Sequence, residues 1–474
     1  MSELFLRDVR LGLDGPLVNV RIADGRVTEI GDDGPGRAEV VDGDGGTLLP
    51  GLVDSHVHTE QWASSRRRIP LEQAKSAAEV VDILVRHGHR PRELLLGGGF
   101  RDGLWPDTPH KDLLERALPG QAIALFSADL HTLWLSPAAL ALIGREHPTG
   151  VLIENDCMSA TAELPAAPPE VVDRWVLEAA EAAAALGVTK IADYEYTDTI
   201  AAWERRREAG PLPVRVSCVI ARHLLDTTIA LGRRTGDTDG LLNVGPYKLF
   251  VDGSLNTRTA YCHHAYDSGD HGLLELPYDE LVALMRRAAE HGIVPAVHAI
   301  GDHANTLALD AFEEIGIGGR IEHAQLVRAE DLPRFAKLGV VASVQPAHQP
   351  DDRDVADHHW PSRTADAFPY RALHSAGATL EFGSDSPVAP LDPWDAIASA
   401  VERTDDERPA WHPEQALPLE AALKASSGGR GTVKVGDVAD LVVVAADMRT
   451  ADLRSVSVIT TILDGRRTFF HSLG

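Results

Sequence analysis

LLPGLVDSHVH, residues 48–58, decides how the rest of the chain is read. It reads as a buried strand that ends in His56 and His58. Residues two apart on a strand point to the same face, so the two imidazoles can serve one metal ion. An HxH pair alone is commonly chance. Its weight comes from its place at the C-terminal end of a strand, where (β/α)8 barrels carry their active sites.

Working outward, seven further strand-like runs follow, near Val188–Tyr194, Val214–Ile220, Val244–Val251, Ile293–His298, Arg320–His323, Val340–Gln345 and Thr379–Ser384. Helical patterns lie between most of them, such as Val171–Leu186 and Tyr278–His291. Alternating strands and helices of this kind predict an α/β chain with a (β/α)8 TIM barrel over residues 51–429. The gap after the first strand is too long for a loop, so residues from about 60 to 165 are expected to form an inserted subdomain. Both ends alternate apolar and polar positions around glycine turns. Residues 1–50 and 430–474 are therefore expected to build one small β-sandwich together.

The other strand ends carry chemistry too. Lys248 sits inside the apolar run of PYKLFVDG, residues 246–253. A snorkelling or salt-bridged lysine is the ordinary explanation. The alternative is a neutral amine that reacts with carbon dioxide to give a carbamate, whose two oxygens can bridge two cations. His298 ends VPAVHAIGD, His323 lies in RIEHAQ, and Asp385 in FGSDSP. A lone histidine at a strand end is more often structural, and Asp385 also fits a helix cap. Together these residues place imidazoles, a carboxylate and a possible carbamate at the ends of five strands that a closed barrel brings to one pocket. That mixed nitrogen and oxygen set suits zinc, with manganese, iron or nickel as alternatives.

Composition narrows the function classes. The 474 residues carry a formal net charge of −26, which argues against a nucleic-acid or anionic-membrane partner. Arg66-Arg67-Arg68 is the nearest thing to a basic run. Three scattered cysteines, Cys157, Cys218 and Cys262, give neither a disulfide framework nor a thiolate zinc site. No signal-peptide core and no spanning apolar run are read, so the cytoplasm is the expected location.

LLPGLVDSHVH, YKLFVDGSL, AVHAIGD, RIEHAQ and FGSDSPV, in that order and spacing, resemble the amidohydrolase superfamily, and most closely the branch containing N-substituted formamide deformylase. The resemblance covers nearly the whole chain, including GTVKVGDVADLVVV near its end and SADLHTLWLSPAAL in the insertion. It implies that His56 and His58 bind the more buried of two metal ions, that carboxylated Lys248 bridges both, and that His298 and His323 hold the second. Asp385 would bind the first ion and carry protons. The implied reaction is cleavage of an amide, formamide or related C–N bond of a small molecule by a metal-bridging hydroxide, with Asp385 passing its proton to the leaving nitrogen.

For substrate contacts the candidates are His131 and Trp134 in the insertion, Arg258 in SLNTRTA, and His348 in SVQPAHQ, with core packing an equal alternative for Trp134 and a surface ion pair for Arg258. Trp62, Trp105, Trp134 and Trp360 all fall after barrel strands or in the insertion, which favours an apolar or aryl-bearing amide. His263-His264 and His358-His359 are read as loop. Two departures from the family pattern are Ala192, where relatives often carry histidine, and Thr59, where leucine is common. Alternatives are a deaminase with one metal or an esterase on the same fold, an isomerase or lyase, and a non-catalytic scaffold. Lys248 discriminates the first, because a one-metal site needs no bridge. A homodimer is expected by analogy.

Overall fold

Eight parallel strands carry the site: β1 (Leu52–Val57), β2 (Val188–Asp193), β3 (Arg215–Ile220), β4 (Leu242–Phe250), β5 (Pro295–Ala299), β6 (Arg320–His323), β7 (Val341–Val344) and β8 (Leu380–Phe382). They belong to a computed structural model that describes residues 3–31, 33–90, 93–128, 130, 132–153 and 155–471. Each strand pairs in parallel with the next, from β1 through β8. The ring closes just past β8, where Asp385 N–H donates to the His56 carbonyl (2.7 Å) and His58 N–H to the Ser386 carbonyl (2.9 Å). All eight expected strands are present, so the chain is an α/β barrel.

The run at 48–58 is two strands rather than one. Thr47–Pro50 pairs antiparallel with Leu441–Val444 in a terminal sheet, and β1 begins at Leu52. The break falls at Gly51, where a Cβ would lie 2.3 Å from the Thr189 side chain of β2. A glycine is what lets the chain cross between the two sheets so close to its neighbour.

The terminal sheet draws on both ends of the chain. Leu4–Leu11 pairs with Leu17–Ala23 along one edge. Its other edge is shared, first by Glu39–Asp42 and then by Thr47–Pro50. Leu441–Val444, Val458–Leu463 and Arg466–Phe470 extend the sheet. Leu6, Val9, Val20, Val41, Leu441, Val443 and Ile462 are among the residues of a hydrophobic core on this sheet.

By contact the chain divides into two compact units, residues 1–59 with 176–474, and residues 60–175. The second therefore runs ten residues past the expected end near 165; Arg67 stacks on Trp175 within it, 5.7 Å from the ring centre. It holds a five-stranded sheet, ordered Val151–Ile153, Thr132–Leu135, Ile123–Ser127, Leu95–Phe100 and Ile69–Pro70. His358 and His359, expected in a loop, close the helix His348–His359. Among the described residues no helix is long and apolar enough to cross a membrane.

Candidate metal centre

The C-terminal ends of the barrel strands bring the expected ligands together. His56 and His58 come from the end of β1, Lys248 from β4, His298 from β5, His323 from β6, and Asp385 from the segment after β8. Candidate ligand atoms of His56, His58 and Asp385 all lie within 4.8 Å of one another. Asp385 Oδ1 is 3.5 Å from His56 Nε2 and 3.4 Å from His58 Nε2. The His323 ring centre is 5.1 Å from that of His56 and 4.5 Å from that of His298. The six residues thus form one buried cluster.

Close approach of β8 to β1 makes this possible. A Cβ at Gly383 would lie 2.6 Å from His56 N and 2.7 Å from His56 Cβ. Asp54 ties the two segments further: its Oδ1 accepts from His56 N–H (3.1 Å) and Ser384 N–H (3.0 Å). Two of the candidate ligands stand on left-handed backbone, His323 at φ 77° and Asp385 at φ 55°. Such conformations cost about 1–3 kcal/mol each in non-glycine residues and gather at functional sites.

The residues fit a metal because the imidazoles are already oriented. His56 Nδ1 donates to Glu322 Oε2 (2.8 Å), His323 Nδ1 to Gln345 Oε1 (2.8 Å), and His298 Nε2 to the Gly253 carbonyl (3.0 Å). Each acceptor fixes the proton on one ring nitrogen and leaves a lone pair on the other, as metal-binding histidines require. The exception is His58, whose buried Nδ1 has no partner among the described residues.

Electrostatics agree. Burial and the nearby Lys248 lower His56 to about 4 and His298 to about 3, so both rings are neutral near pH 7. Burial alone would raise the Asp385 carboxyl, but His56, His58 and His323 around it hold it well below the usual carboxylate range. Burial lowers Lys248 to about 8 against the pull of Glu322 and Asp385. Lys248 as a whole is 4% exposed, and its Nζ has no hydrogen bond or ion pair among the described residues. That Nζ lies 4.9 Å from the ring centre of Tyr194 and 4.7 Å from that of Phe250.

Glu322 is the supporting residue that sequence reading missed, although RIEHAQ contains it. It is fully buried and takes three hydrogen bonds, from His56, from Tyr194 Oη (2.7 Å) and from Arg320 Nε (2.9 Å). Arg320 reaches on to Glu381 (2.5 Å). Tyr194 also stacks on the His56 ring at 3.8 Å. Glu322→Gln is expected to weaken metal binding by roughly 10–100-fold, because the amide no longer fixes the His56 tautomer. Competition with a chelator of known affinity measures this.

The four expected substrate contacts fare differently. His348 is buried beside the centre, its Nε2 donating to the Ser384 carbonyl at 3.3 Å. Arg258 lies in a left-handed turn (φ 60°), and its side chain makes no hydrogen bond or ion pair among the described residues. Trp134 does not offer a face to a ligand: it is 0% exposed in the hydrophobic core of the insertion, edge-on to Phe100. His131 lies outside the described residues.

Comparison with known proteins gives this geometry its place. The chain is 25% identical to N-substituted formamide deformylase of Arthrobacter pascens, covering 94% of each protein. It is 26% identical to the protein LONG AFTER FAR-RED 3 of Arabidopsis thaliana, over 95% of this chain and 88% of that one. A crystal structure of an uncharacterized metal-dependent hydrolase from Pyrococcus horikoshii superposes with a TM-score of 0.82 at 25% identity, covering 96% of this chain and 99% of that one. The sequence profile described as Amidohydrolase family matches residues 39–469, and the chain therefore belongs to that family and is a hydrolase.

Proposed function

We propose that this hydrolase cleaves the C–N bond of an amide or formamide in a small molecule, using two divalent ions, zinc being the best match to the donors. His56, His58 and Asp385 would hold one ion, His298 and His323 the other, and Lys248, carboxylated, would bridge them. The observation that carries this reading is Lys248 itself. It is a buried amine without a hydrogen bond, set among four imidazoles and Asp385. Leaving a charge buried and unpaired costs several kcal/mol. Carboxylation would exchange that charge for one the bound ions can pair: the neutral amine forms an N–C bond to carbon dioxide, releases one proton, and becomes an anion facing the cluster.

Bound divalent ions would supply Lewis acidity toward the carbonyl and lower the pKa of a coordinated water from about 15.7 to roughly 7. The chain's own part is to place and move charge. Glu322, Gln345 and the Gly253 carbonyl orient the imidazoles. Asp385, ionised among them, accepts a proton from the attacking water and returns it to the leaving nitrogen. The C–N assignment draws on the likeness to N-substituted formamide deformylase.

Metal-loaded protein should hold close to two ions per chain and hydrolyse members of an N-formyl and N-acyl panel. Ureides and esters belong in the same screen. Turnover of esters alone would move the assignment off C–N bonds. Silence across the panel with both ions bound would remove it.

A further inference from the structure

Tyr196 stands out at the barrel mouth. It is 53% exposed, whereas its neighbours His58 and His298 are each 9% exposed. Its ring stacks on His58 (centres 5.5 Å apart, planes 25° apart) and on Phe250 (6.2 Å, 24°). Phe250 in turn lies 5.2 Å from the His298 ring, its register partner across β4 and β5. Two aromatic rings in near-parallel planes therefore run from one metal-ligand histidine to another.

The shelf is held from behind. Asp193, at the end of β2, accepts from Thr59 Oγ1 (2.6 Å), from Trp203 Nε1 (2.7 Å) and from Glu195 N–H (3.1 Å). Those bonds fix the start of the segment that carries Tyr196. The Tyr196 hydroxyl makes no hydrogen bond among the described residues, so no bond of its own holds the ring away from a ligand. An aromatic ring that is held by its neighbours and still half exposed gains from a flat apolar group laid against it.

We infer that Tyr196 and Phe250 form a specificity shelf that receives an aryl or other planar unsaturated group beside the scissile bond. The inference rests on the metal-centred C–N cleavage proposed above, and it narrows the substrate class to amides bearing such a group. Tyr196 is a positioning residue here, and its loss changes which substrates are preferred.

The test separates the shelf from the chemistry. Calorimetry on metal-loaded protein compares benzoate with acetate, which share a carboxylate head and differ by the ring. Stacking plus apolar burial predicts that benzoate binds roughly 10–100-fold tighter. Tyr196→Phe should keep that ratio, and Tyr196→Ala should bring it close to one. Equal affinities in the unaltered protein, or a ratio untouched by Tyr196→Ala, overturn the shelf. Kinetics with matched N-benzyl and N-propyl formamides then reads the same ratio in kcat/KM. A Tyr196-dependent benzoate preference in a protein that cleaves no amide keeps the shelf and rejects the C–N assignment. Amide turnover without aryl preference does the reverse.

Discussion

Asp385→Asn is expected to retain most of its metal and lose kcat by roughly 10²–10⁴-fold, the range for a lost general acid–base group. Asparagine keeps an oxygen that can still face His56 and His58, where Asp385 Oδ1 now lies at 3.5 and 3.4 Å. What it loses is a proton acceptor. The carboxyl is held well below its usual range by His56, His58 and His323, so it is ionised throughout the neutral range. An amide in its place can neither take the water's proton nor hand it on. Metal analysis and steady-state kinetics on the same preparation decide the matter. Normal turnover by the metal-loaded variant would refute the proton role, and loss of both ions would recast Asp385 as a ligand alone.

Lys248→Ala should be as severe by a different route. Removing a shared ligand is expected to lower metal content from about two ions per chain toward one, and to cost several kcal/mol of transition-state stabilisation, about 10²–10⁴ in rate. Acetate or formate should restore part of the activity, since a small carboxylate offers the two oxygens that the carbamate would have supplied. The unaltered protein, exchanged into ¹³C-bicarbonate, should show a protein-bound carbon resonance that the variant lacks. Two tightly held ions and full activity in Lys248→Ala would rule out the bridge.

Much of this was legible in the sequence because each barrel strand announces itself. A short apolar run ending in a polar group can be read from local pattern, and all eight strands lie where such runs occur. The candidate ligands were legible for the same reason, being the polar groups at those ends. What local pattern cannot carry is pairing at long range. Glu322 bonds to His56 across 266 residues, and nothing near either one marks the other. Pattern alone leaves Trp134 open between capping the site and packing in a core, and the insertion has its own core, which Trp134 fills. Tyr196 carries no signal in the sequence because exposure is a property of the folded surface. Residues 48–58 read as one continuous strand because Gly51 is needed for a close approach to Thr189 that only the tertiary structure creates.

The terminal sheet bears on how such a chain is made. Thr47 Oγ1 donates to the Ala446 carbonyl, 399 residues further along, and Leu441–Val444 completes the edge of Thr47–Pro50. At roughly 5–20 residues per second of synthesis, the early strands wait about 20–80 s for these partners. Until then an apolar strand edge stands open beside the start of β1, and open edges invite pairing with other chains. Nascent chains halted before residue 441 should therefore engage chaperones or aggregate, whereas release of the remaining segment closes the sheet.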